Sequence, residues 1–160
     1  MDGTGCIDVD AALDGRLIEH SERLAAAVNF LSPLRDAPNG PHVLRHQRTG
    51  STLAVALEPA FDRARRRRGL LGRSGLEPGA AMVLAPCSGT HTFFMRFAID
   101  VLFVRRDGVV LRVCASVQPW RLAIAPRARA AVELPAGTAA RAGVRSGDLL
   151  VIERNLLPTR

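Results

Sequence analysis

The stretch from Ile99 to Val117, IDVLFVRRDGVVLRVCASV, predicts the central β-hairpin of this protein. Two runs rich in β-branched residues flank Arg106-Asp107-Gly108, and an Asp-Gly step favours the tight reversal that joins antiparallel strands. Side chains of a strand alternate between its two faces. Ile99, Val101 and Phe103 are therefore expected on one face, and Asp100 is expected on the other, among apolar side chains.

On both sides of this hairpin, short apolar runs separated by turn-forming residues predict further strands. The runs are HVLRHQ (42–47), STLAVAL (51–57), AAMVLAP (80–86), THTFFMRF (90–97), WRLAIAP (120–126), AAVELPAG (130–137) and GVRSGDLLVIE (143–153). One helix is expected in PAFDRARRRRGLL, with Pro59 in its first turn and Gly69 near its end. TAARAG (138–143) is expected to form a helical turn.

The order of these elements defines the expected fold class. Strands and helices do not alternate regularly, which disfavours a doubly wound parallel sheet. We expect a mainly β domain over residues 42–156, a small antiparallel β-sandwich or barrel-like domain with one short internal helix.

Residues 1–41 differ from the rest and are expected to form a variable N-terminal extension. SERLAAAVNFL (21–31) has a capping residue and apolar spacing that favour one short helix. Pro- and Gly-rich segments on both sides favour a loose, partly disordered chain. The alternative is that translation begins at a later start codon.

The charge and the cysteine content limit the classes of function. All 22 basic residues are Arg, and against 15 acidic residues they give a formal net charge of +7, which favours anionic partners. Three cysteines without a CxxC pair do not describe a disulfide framework. The start, MDGTGCIDVD, has no signal-peptide pattern, and no apolar run is long enough to span a membrane. We therefore expect a cytoplasmic protein without membrane insertion.

Six fragments in order resemble the domain of unknown function family 192 over about residues 43–154. They are RGLLGR (68–73), Met82 in its apolar run, HTFFMRFAIDVLFV (91–104), DGVV (107–110), VELPAG (132–137) and GVRSGDLL (143–150). The resemblance implies a compact β-sandwich-like domain with little helix. It implies no activity, because the family is named for lacking one. Ala98 stands where many members carry Pro.

Charged residues inside apolar strands mark the candidate site. Asp100 and Glu133 lie in such strands, and a buried carboxylate needs a compensating partner. The order of the family motif suggests arginine as that partner. An Arg–carboxylate pair either stabilises the fold or lines a small cleft for an anionic or polar ligand. We expect the cleft where the helix end meets HTFFMRFAID, lined by Arg68, Arg73, His91, Met95, Arg96 and Asp100.

The leading functional hypothesis is therefore a non-enzymatic binding or accessory module without a cofactor or a bound metal. An alternative is a Cys/His-dependent enzyme or metal-binding protein. A nucleophilic Cys87 needs His91 within hydrogen-bond reach, although four residues of extended strand span about 13 Å, so Ser88-Gly89 would have to bend the chain. Metal binding would draw on Cys87, His91, Asp100 and Cys114, or on the pair His42 and His46.

A third hypothesis is a weak binder of nucleic acid or of an anionic surface through Arg63 to Arg68. Successive helical residues turn by about 100°, so Arg63 and Arg67 should share one face of the helix, and Arg65 and Arg68 another. The sequence contains no familiar nucleic-acid-binding motif, and we do not expect nucleic acid as a partner.

Overall fold

The computed structural model describes residues 29–155, and this part of the chain is mainly β. The strands are β1 His42–His46, β2 Thr52–Ala54, β3 Ala56–Ala60, β4 Ala80–Leu84, β5 Gly89–His91, β6 Ile99–Val104, β7 Val110–Val117, β8 Leu122–Ile124, β9 Ala130–Pro135 and β10 Leu150–Arg154. The helices are α1 Ser32–Asp36, α2 Arg63–Arg68 and α3 Thr138–Arg141. The mainly β prediction is confirmed. The helix expected at 21–31 lies almost wholly outside the described residues.

The described strands form three sheets. The largest has the order β3-β4-β9-β6-β7, the second has the order β10-β1-β2, and the third pairs β5 with β8. Neighbouring strands pair antiparallel except β3 and β4, which are parallel. The sheets do not close into a barrel, so the arrangement is an open, layered one.

The predicted hairpin is present as β6 and β7, and β6 is buried along its whole length. Its two faces belong to different hydrophobic clusters. Leu102 lies in the cluster that includes residues of the three-stranded sheet. Ile99, Val101 and Phe103 lie in the cluster that includes residues near α2 and of β8. The predicted alternation along this strand is confirmed, and it makes both faces of the five-stranded sheet part of the core.

The turn of the hairpin depends on Gly108. Its φ is +92°, a conformation that side chains rarely adopt, and an added Cβ would overlap the carbonyl oxygen of Leu150. The backbone of Gly108 can therefore lie directly against β10, where the Leu150 N–H donates to the Gly108 carbonyl at 3.0 Å.

The predicted helix begins later than its sequence suggests. Pro59 lies in strand β3, and α2 begins after Asp62, whose carboxylate accepts a hydrogen bond from the Arg65 N–H at 2.7 Å. Parallel pairing with β4 keeps Ala56–Ala60 extended, and this tertiary pairing overrides the local preference of Pro for a first helical turn. Gly69 ends the helix, as predicted.

The predicted strand THTFFMRF is shorter than expected, because only Gly89–His91 is extended. The chain then turns, and Phe94 has a φ of +64°. The Thr92 hydroxyl donates to the Gln118 carbonyl at 2.7 Å and accepts from the Arg121 N–H at 2.9 Å, which holds the turn against the start of β8.

Candidate functional site

A cavity of about 480 Å³ lies between α2, the segment 87–91 and one face of the five-stranded sheet. Arginines of α2 line one side, and Cys87, Thr90, His91 and Glu133 contribute its other polar groups. We call it the arginine-rimmed cavity; its apolar lining comes from Leu70, Leu71, Leu84 and Met95.

Helix α2 positions four guanidinium groups at this cavity: Arg63, Arg66, Arg67 and Arg68. Arg66 is fixed, because its Nη1 donates to the Phe61 carbonyl and, at 3.1 Å, to the Ala85 carbonyl. Arg63, Arg67 and Arg68 are exposed, and within residues 29–155 their side chains have no hydrogen-bond or ion-pair partner. Three guanidinium groups therefore remain available to a ligand.

A second cavity, of about 780 Å³, lies on the other side of α2 and includes Arg65 and Arg68 in its lining. The predicted division of the arginine run is thus seen: Arg63 and Arg67 line the first cavity and Arg65 lines the second. Arg68 lines both. The run is split between two sites and does not form a single basic stripe.

Glu133 supplies the carboxylate of the arginine-rimmed cavity. Its neighbours in register are Met82 of β4 and Val101 of β6, so it shares their face of the sheet. It is 3% exposed, and the Thr90 hydroxyl donates to its Oε1 at 2.9 Å. Burial raises the pKa of Glu133 to about 7, although the Thr90 hydrogen bond and the charge of Arg73 act in the opposite direction.

The predicted arginine–carboxylate pair exists with a different carboxylate. Arg73 donates two hydrogen bonds to Glu58, at 2.8 and 2.6 Å, and this bidentate contact lowers the pKa of Glu58. Glu58 stands beside Met82 in the β3–β4 register, so Glu58, Met82 and Glu133 form a row across the sheet. The sequence gives no signal for Glu58, because it falls between the strand predicted over 51–57 and the helix predicted from Pro59.

Asp100 is buried, but its compensating partners are backbone groups. Its carboxylate accepts hydrogen bonds from the N–H of Ser116 at 2.8 Å, of Gly137 at 3.1 Å and of Ala139 at 2.8 Å. The prediction of an arginine partner for Asp100 is wrong. The start of α3 and a register shift in the β6–β7 pair bring these N–H groups to it, so guanidinium is not needed.

The other predicted site residues divide into two groups. Arg68, His91 and Met95 line the arginine-rimmed cavity, and Arg73 lines the adjacent one. Arg96 is exposed and lines neither of them. Asp100 points to the opposite face of the sheet from Glu133, with Leu102.

Cys87 and His91 line the same cavity, but they do not form an activated pair. The Cys87 thiol donates to the Gly89 carbonyl at 3.2 Å, and burial raises its pKa. The His91 ring stacks on Phe93 with ring centroids 5.0 Å apart. No hydrogen bond joins the thiol to the imidazole within the described residues, so His91 is not placed to act as the base of a cysteine nucleophile.

The metal-binding alternative finds no ligand set in the part of the chain that the structure describes. No group of three or more His, Cys, Asp or Glu side chains converges there. His46, in strand β1 of the three-stranded sheet, instead places its Nε2 3.0 Å from Asp148 Oδ2. From residue 29 to residue 155, no helix has the length and apolar character needed to cross a membrane.

The fold and the site together define a small, mainly β domain with layered sheets and an arginine-rimmed cavity over a buried carboxylate. A model of the family DUF192, described as an uncharacterized ACR family, matches residues 44–152. The chain belongs to this family. A comparison with curated proteins gave no match.

Two solved structures share the fold, each with a TM-score of 0.60 and 24% sequence identity over 69% of this chain. One is a protein of unknown function from Novosphingobium aromaticivorans DSM 12444, of which 82% is covered. The other is a putative transcription regulator from Sinorhizobium meliloti 1021, of which 91% is covered. At this identity the likeness concerns the fold alone.

Proposed function

We propose that this protein is a non-enzymatic binding module that takes a small ligand, through an anionic group, into the arginine-rimmed cavity. The observation that carries the proposal is a set of three guanidinium groups at one cavity, on Arg63, Arg67 and Arg68, that have no hydrogen-bond or ion-pair partner among residues 29–155. Guanidinium presents a planar fork of donors that fits a carboxylate or a phosphate.

The rest of the lining supports a small organic ligand over a bare ion. A volume of about 480 Å³ is within the range of small-molecule sites, and Leu70, Leu84 and Met95 offer apolar contacts. Arg66, tied to two backbone carbonyls, holds α2 in place and so pre-organises the neighbouring guanidinium groups.

A binding role is favoured over the enzymatic alternative by the state of the thiol. A nucleophilic cysteine works as a thiolate beside a base or a positive charge, whereas Cys87 has a raised pKa and donates to a carbonyl. Binding of nucleic acid is also less favoured, because the arginine run is divided between two cavities.

The test is isothermal titration of the protein with hexanoate and with hexyl phosphate at low salt. We expect the double variant Arg63→Gln/Arg67→Gln to bind both probes at least about tenfold more weakly, the loss of roughly 1.4 kcal/mol that two exposed charge contacts can supply. Arg145→Gln is the matched control, because Arg145 is an exposed arginine that lines neither cavity. Equal affinity of the double variant and the wild type would refute the proposal.

A further inference from the structure

We propose that the ligand is a zwitterion, or a molecule with an equivalent donor group, whose ammonium or N–H donor binds the free carboxylate oxygen of Glu133 while its anionic group binds the arginine rim. This inference rests on the proposed function and names the class of ligand. It assigns Glu133 as a specificity-determining residue.

The first observation is that only one oxygen of Glu133 is satisfied. Oε1 accepts the Thr90 hydroxyl at 2.9 Å, and Oε2 has no hydrogen-bond donor among residues 29–155. The side chain lines the cavity although the residue is only 3% exposed. Because this oxygen belongs to a cavity-lining side chain and is not itself fully buried, a donor group of a ligand in the cavity can reach it and supply the partner that residues 29–155 do not.

The second observation is that the rim does not neutralise Glu133. Glu133 faces charged or titratable groups from three parts of the chain: α2, the loop after α2 and segment 87–91. They line its cavity or act on it electrostatically, and they are Arg63, Arg66, Arg67, Arg68, Arg73, Cys87 and His91. Within the described residues, none of the guanidinium groups is in ion-pair contact with Glu133: Arg73 pairs with Glu58, and Arg66 binds carbonyls.

The cavity therefore has two separate poles. The arginine rim attracts an anion, the oxygen of Glu133 accepts a donor or a cation, and the remaining lining is largely apolar. A ligand with one charged group binds either the arginine rim or the Glu133 oxygen and leaves the other without a partner. A ligand with an anionic end, an apolar spacer and a donor end satisfies both, which gives it selectivity over the molecule that lacks the donor.

The first experiment compares ω-amino acids with carboxylates of equal length: 4-aminobutanoate, 6-aminohexanoate and 8-aminooctanoate against butanoate, hexanoate and octanoate. Titration calorimetry is done at pH 8, above the value of about 7 to which burial raises the pKa of Glu133. We expect at least one amino acid to bind wild-type protein about tenfold or more tightly than its carboxylate partner. In Glu133→Gln this preference should fall to about twofold or less, while the carboxylate still binds.

The second experiment reads the proton balance at pH 7 by titration in buffers of different ionisation enthalpy. An ammonium group beside Glu133 favours the ionised carboxylate, so the favoured amino acid should release protons on binding. Binding of hexanoate adds negative charge near Glu133 and favours its protonated form, so proton uptake should accompany binding. Both effects should vanish in Glu133→Gln.

The outcomes separate the two proposals. If amino acids and carboxylates bind equally well and both depend on Arg63 and Arg67, the zwitterion inference is overturned and the proposed function stands. The same holds if Glu133→Gln keeps the preference. If Arg63→Gln/Arg67→Gln binds every probe as the wild type does, the proposed function fails, and if no probe binds, both fail.

Discussion

Replacing Glu133 by Gln should stabilise the protein at alkaline pH and leave its stability unchanged in acid. Burial raises the pKa of Glu133 from 4.5 to about 7 in the folded protein. A carboxyl group with a raised folded-state pKa favours folding below its unfolded-state pKa, and this advantage is lost as the pH rises through the folded-state pKa. Gln stays neutral at every pH and keeps an oxygen for the Thr90 hydroxyl.

The size of the effect follows from the pKa change. At roughly 1.4 kcal/mol per pKa unit, a rise from 4.5 to about 7 corresponds to about 3 kcal/mol. The free energy of unfolding of Glu133→Gln should therefore equal that of the wild type below about pH 4.5. Above pH 7 the free energy of unfolding of the variant should exceed that of the wild type by up to about 3 kcal/mol. The difference should grow as the pH rises from about 4.5 to 7.

The assay is urea denaturation followed by far-ultraviolet circular dichroism from pH 4 to pH 8.5. Glu58→Gln is the matched control. The Arg73 contact lowers the pKa of Glu58, so the ionised Glu58 carboxylate favours folding, whereas the ionised carboxylate of Glu133 disfavours it. That variant should lose no more than about 1 kcal/mol above pH 4.5, since the pair is partly exposed. A difference between Glu133→Gln and wild type that does not change with pH, or a less stable variant at pH 8, would refute the reasoning.

Three further predictions concern the fold and the thiol. Asp100→Ala should cost about 3 kcal/mol or more of unfolding free energy, because three backbone N–H groups, of which that of Ala139 is buried, lose their acceptor. The exposed Asp36→Ala should change it by less than about 0.5 kcal/mol, and similar melting temperatures of the two variants would contradict this. Gly108→Ala should lower the melting temperature by several degrees, because its Cβ would overlap the Leu150 carbonyl; an unchanged value would show that the turn can relax. In a variant that keeps only Cys87, iodoacetamide should react more slowly at pH 8 than with the urea-unfolded chain, since burial raises the pKa of the thiol; equal rates would contradict its protonated state.

Glu133 links the fold to the proposed ligand. A buried, partly satisfied carboxylate lowers stability at neutral pH, and proteins retain such strain at functional sites more often than elsewhere. Glu58 gives the contrasting case on the same row of the sheet. Its two oxygens are taken by Arg73, so it contributes to stability and has no unsatisfied oxygen to offer a ligand.

The sequence alone predicted the features that depend on local patterns. The alternation in β6, the Asp-Gly turn before β7 and the glycine that ends α2 depend on residues close together in the chain, and all three are present. The family resemblance also came from local motifs, and the family match over residues 44–152 confirms it.

The tertiary structure decided which charged groups meet. Asp100 was expected to pair with arginine and instead accepts backbone N–H groups, which every residue carries and which no side-chain pattern reveals. Arg73 pairs with Glu58 because β3 extends through Pro59 and pairs in parallel with β4, which places Glu58 on the sheet. Contacts between residues far apart in the chain depend on strand order and register. The electrostatics of the site were therefore fixed only when the sheets assembled and removed Glu133 from water.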